Sequence, residues 1–289
     1  MLMYMLCIMH NTQHSTPDSS DGLRLLQLSD DIQWLSDSKP LMKMPSWLSE
    51  FKFQTTPDSP DIPTYIDWKG SHRLGLYFEY LVEQYLRFKE QPIDINRNIA
   101  IRKNKKTIGE LDFLLQQSGH NRHLEVAVKY YLCTGDGTQL SDYIGPGKRD
   151  RLDIKWSRLV THQCRLANKD VSRSTLAELG FPQPIAPQLL LTGYLFYHKG
   201  VQPDKQPKDI SEHHLHGWWV RAIEAEEFLT TDCRYQILPK LHWLSGTGVS
   251  PINRDELLDS CSHFGAPKLI RLLGGNKELS RGFIVPDDW

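Results

Sequence analysis

The side chains best spaced for chemistry lie in residues 108–131: Ile108-Gly-Glu-Leu-Asp112-Phe-Leu-Leu, a short polar turn, then His123-Leu-Glu125-Val-Ala-Val-Lys129-Tyr-Tyr131. Apolar and polar residues alternate in both halves, which is the signature of half-buried strands. Leu111, Phe113 and Leu115 alternate with Glu110 and Asp112; Leu124, Val126, Val128, Tyr130 and Leu132 alternate with His123, Glu125, Ala127, Lys129 and Tyr131. Successive side chains on a strand point to opposite faces, so each set has a face to itself. Two such strands paired in register would hold Asp112, Glu125 and Lys129 on one side of a sheet. Paired carboxylates are hard oxygen donors suited to Mg2+ or Mn2+. A lysine beside them can position water for attack on a phosphodiester.

Two residues outside this stretch could join the constellation. Glu79, in Leu76-Tyr-Phe-Glu-Tyr-Leu, stands at the edge of a helical apolar arc, from which a carboxylate could reach over the sheet. A lone glutamate at such a boundary would simply face solvent. Gln163 falls at the centre of a second helical stripe, between Val160 and Leu166. A glutamine turned into a core needs partners for its amide, or it costs about 1–3 kcal/mol. A polar network on the sheet face would supply them, as would a carbonyl of a neighbouring loop. Lys155 and His162 flank the same stripe and could face phosphate.

The elements that must position these residues can be read from periodicity. A helix is expected over about 71–88, with Leu74, Phe78, Leu81, Val82 and Tyr85 as its apolar stripe. Strands follow at about 99–102 and 108–115, joined by Lys103-Asn-Lys-Lys106, and then at 123–132. A glycine-bearing loop over 135–147 leads to a second helix at about 149–167, carrying Leu152, Trp156, Leu159 and Val160 on one face. Gln188-Leu-Leu-Leu-Thr-Gly-Tyr-Leu-Phe-Tyr197 is almost continuously apolar and suits a buried central strand. Farther on, short strands are expected at 217–220 and 235–238 and helices at 255–264 and 267–273. At the other end, residues 10–22 read as a polar tail, 23–35 as a helix, and 54–64, with three prolines, as a linker.

Glu79 on the first helix, Asp112 on the second strand, and Glu125 with Lys129 on the third resemble, in that order, the PD-(D/E)XK nuclease superfamily. More closely, the chain resembles a bacterial family catalogued as domain of unknown function 1853, from Ile32-Gln-Trp-Leu35 to Arg281-Gly-Phe-Ile-Val-Pro-Asp-Asp-Trp289. The resemblance implies an α/β restriction-endonuclease-like fold, a mixed sheet flanked by helices. An N-terminal tail, helix and linker (1–66) would precede a nuclease-like core (67–200) and a C-terminal α+β extension (201–289). It implies a Mg2+- (or Mn2+-) dependent nuclease. Asp112 and Glu125 would hold metal and Glu79 would assist or bind a second ion. Lys129 would position water, and Gln163 would belong to the active-site network. The chain departs from the pattern at one place: the superfamily spaces its acid two residues before the lysine, which here is Ala127. Glu125 is four residues before Lys129 on the same face, with α-carbons roughly 13 Å apart. That leaves a second reading open, an inactive nuclease-fold protein that binds nucleic acid or a protein partner, and a third, a plain interaction protein.

Composition bounds these readings. The chain has 289 residues, 39% hydrophobic and 24% charged, with a formal net charge of −1, so it is no polycation. Contacts to a nucleic acid would depend on local clusters. Two flank the expected cleft in sequence: Arg97, Arg102, Lys103, Lys105 and Lys106, and then Lys148, Arg149, Arg151, Lys155 and Arg158. Such runs also serve as plain solvated faces. The five cysteines are scattered, never as Cys-x-x-Cys, which argues for a reducing, cytoplasmic setting and against a disulfide framework. The apolar start, Met1 to Met9, lacks a preceding basic residue and is too short to span a bilayer, so no membrane partner is expected. No Walker loop, dinucleotide fingerprint or Gly-x-Ser-x-Gly elbow is present, and His213, His214 and His216 read as surface histidines rather than a zinc site.

Overall fold

The computed structural model describes residues 19–53, 68, 70–89, 93–261 and 263–289, with side chains from residue 28 onward. In chain order these form α1 (Ser19–Asp37), β1 (Ser49–Glu50), α2 (Leu74–Lys89), β2 (Asp94–Lys103), β3 (Lys106–Gln117), β4 (His120–Cys133) and β5 (Tyr143–Ile144). Next come α3 (Leu152–Thr161), α4 (Arg173–Glu178), β6 (Ala186–His198), β7 (Leu215–Arg221), α5 (Ala225–Phe228) and β8 (Arg234–Leu238). The chain ends with α6 (Arg254–Cys261), β9 (Lys268–Gly274) and β10 (Lys277–Val285). The result is a mixed α/β protein built on a 10-stranded sheet, ordered β2-β3-β4-β6-β7-β10-β9-β8, with β1 added to β6 and β5 to β4. β2, β3 and β4 form an antiparallel meander, β4, β6, β7 and β10 run parallel, and β9 and β8 return antiparallel.

Local sequence explains the meander. Asn104 and Lys105 at the first turn, and Ser118 and Gly119 at the second, all have positive φ. That is the backbone of a two-residue hairpin loop whose twist matches the flanking strands. β4 is sandwiched because both of its faces are apolar over most of its length. Leu124, Val126, Val128, Tyr130 and Leu132 pack under α1 and α2, against Leu28, Ile32, Leu35, Phe78, Leu81 and Val82. Ala127, Tyr131 and Cys133 pack on the other face against Trp156 and Leu159 of α3. Each fully buried leucine or phenylalanine in these layers contributes about 1.5–3 kcal/mol. Gly193 in β6 has φ +127°, and a Cβ there would sit 1.9 Å from the Lys129 carbonyl oxygen. Only glycine lets β6 lie this close to β4 at Lys129.

Four expectations are corrected. Residues 268–274 form strand β9 rather than a helix. The run Lys268-Leu-Ile-Arg-Leu-Leu suits either element, and pairing with β10 on one side and β8 on the other decides it. The expected long helix at 149–167 stops at Thr161, where His162 leaves helical dihedrals (φ −127°, ψ −65°), and a 3-10 turn follows over Gln163–Asn168. His214 is buried at 7% exposure, its ring bonded to the Ser211 carbonyl and the Tyr197 hydroxyl, so only His213 and His216 are surface residues. Residues 19–22 belong to α1 rather than to a tail, while the rest of that tail and the proline-rich stretch at 54–64 lie outside the described residues. The sheet continues across residue 200, since β7 pairs with β6. In β10, Arg281 is 2% exposed, held by Glu278 and by the carbonyls of Trp243 and Leu244. No helix among the described residues is long and apolar enough to cross a membrane.

Candidate active site

The site forms where β3 and β4 part. Their backbone pairing runs from Gln117↔His120 to Phe113↔Leu124 and ends there, while β3 stays paired to β2 through Leu111. Side chains replace the lost ladder. The Val126 N–H donates to Asp112 Oδ2 at 3.0 Å, and the Asp112 N–H reaches Glu125 Oε1 at 3.5 Å. The alternation that put Asp112 and Glu125 on one side of the sheet thus brings them together at the mouth of a splayed strand pair.

Glu125 is fully buried, at 0% exposure. A buried carboxylate needs donors for both oxygens, and it has them. His123 Nε2 donates to Oε1 at 2.8 Å, and Gln163 Nε2 donates to Oε2 at 2.9 Å. His123 sits two residues earlier on the same strand face, so the period-two rule that selected Glu125 also selects its partner. The Gln163 amide is completed by Lys155 Nζ, which donates to Oε1 at 3.2 Å. The glutamine turned inward from the second helical stripe therefore has its partners in the carboxylate network.

Asp112 carries the strongest perturbation in the site. Burial pushes its carboxyl up to about 8, and the charges of Glu125 and Glu79 push the same way, against the Val126 N–H and Lys155. Its Oδ1 accepts no hydrogen bond among the described residues. Glu79 of α2 is also raised, first by burial and then by Glu110 and Glu125, while Arg97 and Lys155 pull it down. Its Oε2 lies 3.7 Å from Arg97 of β2, which also pairs with Glu83. Lys155 is half-buried and lowered, by burial first and by Lys129 next, with Glu125 and Asp112 opposing.

Of the residues singled out in the sequence, Asp112, Glu125 and Gln163 are joined by hydrogen bonds, while Glu79 is held at Arg97 and reaches Asp112 through its charge alone. Lys129 lies on the same face as Glu125, but its ammonium is engaged by Asp150 Oδ2 at 2.5 Å. Asp150 was not anticipated. It belongs to the loop before α3, 21 residues away, and carries no local signal of the pairing. Among the described residues no three His, Cys, Asp or Glu side chains form a ready-made metal cage. The available donors are carboxylate oxygens of Asp112, Glu125 and Glu79, a set suited to a hard divalent cation that keeps most of its water. Both basic clusters are largely exposed: Arg102, Lys103, Lys105 and Lys106 on the β2–β3 hairpin, Lys148, Arg149, Arg151 and Arg158 around the start of α3.

No curated protein and no solved structure matches the chain. A family model does, over residues 15–266, a span that includes every residue of the cleft. The chain belongs to the family described as Domain of unknown function (DUF1853).

Proposed function

We propose that the protein is a Mg2+-dependent nuclease of the PD-(D/E)XK type, with a restriction-endonuclease-like core, hydrolysing a phosphodiester in DNA or RNA. The observation that carries this reading is the apposition of Asp112 and Glu125 at the strand splay, with the Asp112 carboxyl pushed up to about 8. Crowding a buried acid and a half-buried one near a third is costly unless a cation or a proton occupies the gap. The order α2, β2, β3, β4, α3, β6, with an acid from the helix and one from each of two strands, supports the same reading. Asp112 and Glu125 would bind Mg2+ or Mn2+, with Glu79 assisting through water. Held there, a divalent ion would supply acidification of bound water and neutralisation of phosphate charge. His123 and Gln163 fix the orientation of Glu125. The exposed basic clusters, on the β2–β3 hairpin and around the start of α3, would grip the phosphate backbone without reading sequence.

A second reading has an observation of its own. Lys129 is tied to Asp150 and Ala127 supplies no charge, as in a nuclease fold kept for binding nucleic acid or a protein partner. One experiment separates the two: the purified full chain incubated with labelled duplex DNA, single-stranded DNA and RNA, with Mg2+, with Mn2+ and with chelator. Cleavage that needs metal and disappears in Asp112→Asn and Glu125→Gln supports the nuclease. Retention of substrate without cleavage under every metal condition overturns it in favour of the binding protein.

A further inference from the structure

The sequence motif draws attention to the lysine on β4, but the cleft is served by a different one. Glu125, not Ala127, lies against Asp112, so measured from that aspartate the acid is in place and the lysine is missing. The next residue on the same face, Ala127, is 8% exposed and ends in a methyl group. Lys129, one step farther along that face, turns to Asp150. Lys155, from α3, enters instead. Its ammonium is fixed to Gln163 Oε1, and Gln163 in turn holds Glu125 Oε2, so two hydrogen bonds connect it to the buried carboxylate. Its charge also acts across the cleft on both Asp112 and Glu79, favouring their ionised forms.

We propose that Lys155 is the catalytic lysine of this site, donating hydrogen bonds to the attacking water and to a non-bridging oxygen of the scissile phosphate, with Gln163 as its positioning residue. This rests on the nuclease reading above. In the step it serves, a bond forms from water oxygen to phosphorus and the phosphorus–ester bond breaks. The water's proton passes to solvent and the leaving alkoxide takes a proton from solvent. Lys155 stays an ammonium throughout and neutralises charge that grows on the phosphate. Helix α3 can present it because Leu152, Trp156 and Leu159 bury the adjoining face of that helix, and Lys155 stands at the edge of this buried face.

The test compares Lys155→Ala, Lys155→Met and Lys129→Ala in single-turnover cleavage of a labelled oligonucleotide with Mg2+, with substrate titrated to separate KM from kcat. Lys155→Met keeps the packing of the side-chain stem and covers the case in which the alanine variant fails to fold. Removing a donor aimed at developing charge costs about 100-fold or more in kcat. We expect that loss in Lys155→Met, with KM changed by less than about 3-fold and the variant still folded at the assay temperature, and a loss at least ~10-fold smaller in Lys129→Ala. A folded Lys155→Met retaining more than about a tenth of wild-type kcat, or a larger loss in Lys129→Ala, overturns the assignment while leaving the nuclease reading intact. Wild type that never cleaves overturns both.

Discussion

Asp112→Asn should make the metal-free protein more stable, and increasingly so as pH rises. The folded carboxyl is raised from 3.8 to about 8, with burial as the main cause. A carboxyl raised on folding binds its proton more tightly in the native state, so its penalty is absent below about pH 4. It then grows through the window from about 4 to about 8, and is constant above that. At about 1.4 kcal/mol per pH unit, four units set an upper bound of roughly 5–6 kcal/mol. Asp112 shares its repulsion with Glu125, and the cleft relaxes around a charge, so about half of that, ~3 kcal/mol, is the working figure. Asparagine keeps an oxygen to accept the Val126 N–H and offers an amide N–H to Glu125, so no hydrogen bond need be lost. For a chain of this size ~3 kcal/mol corresponds to about 6 °C in melting temperature. The assay is a series of thermal melts from pH 4 to 9 in chelator, wild type beside Asp112→Asn. The two curves should converge near pH 4 and separate steadily up to pH 8, with the variant higher. Added Mg2+ should then raise wild type more than the variant. A variant that melts below wild type at pH 8, or a gap that does not change with pH, would refute the account of Asp112 as a crowded, buried acid.

Gln163→Leu deprives Glu125 Oε2 of its donor and Lys155 of its acceptor, so it should cost about 1–3 kcal/mol in chemical denaturation; an unchanged midpoint would mean the amide is dispensable there. Gly193→Ala places a Cβ against the Lys129 carbonyl at a φ of +127°. It should cost more than about 3 kcal/mol or prevent soluble expression, and a variant as stable as wild type would contradict the close pairing of β6 with β4. Neutralising the hairpin as Lys103→Gln, Lys105→Gln and Lys106→Gln should weaken nucleic-acid binding evenly across sequences. It should also flatten the salt dependence of log Kd by up to about 3 units of slope; an unchanged slope would remove the hairpin from the interface.

The site was legible in the sequence to the extent that it obeys strand periodicity. Asp112, Glu125 and His123 fall on one side because side chains alternate, and any in-register pairing of the two strands delivers them together. Gln163 was legible because a polar amide in an apolar stripe must find partners, and it found Glu125. The central strand β6 announced itself as an unbroken apolar run, and the first helix by its stripe. Other features depended on contacts far apart in the chain. Lys268-Leu-Ile-Arg-Leu-Leu has no period that distinguishes helix from strand, and β8 and β10 on its two sides decided for β9. The choice between Lys129 and Lys155 was equally out of reach. Both lysines are compatible with the cleft in sequence, but a loop residue, Asp150, captures the first, and the way α3 docks on the sheet delivers the second. Alternation fixes which face a residue occupies, because the backbone alone dictates it. Which charge meets which is set by loops and helix docking, where no local repeat exists to read.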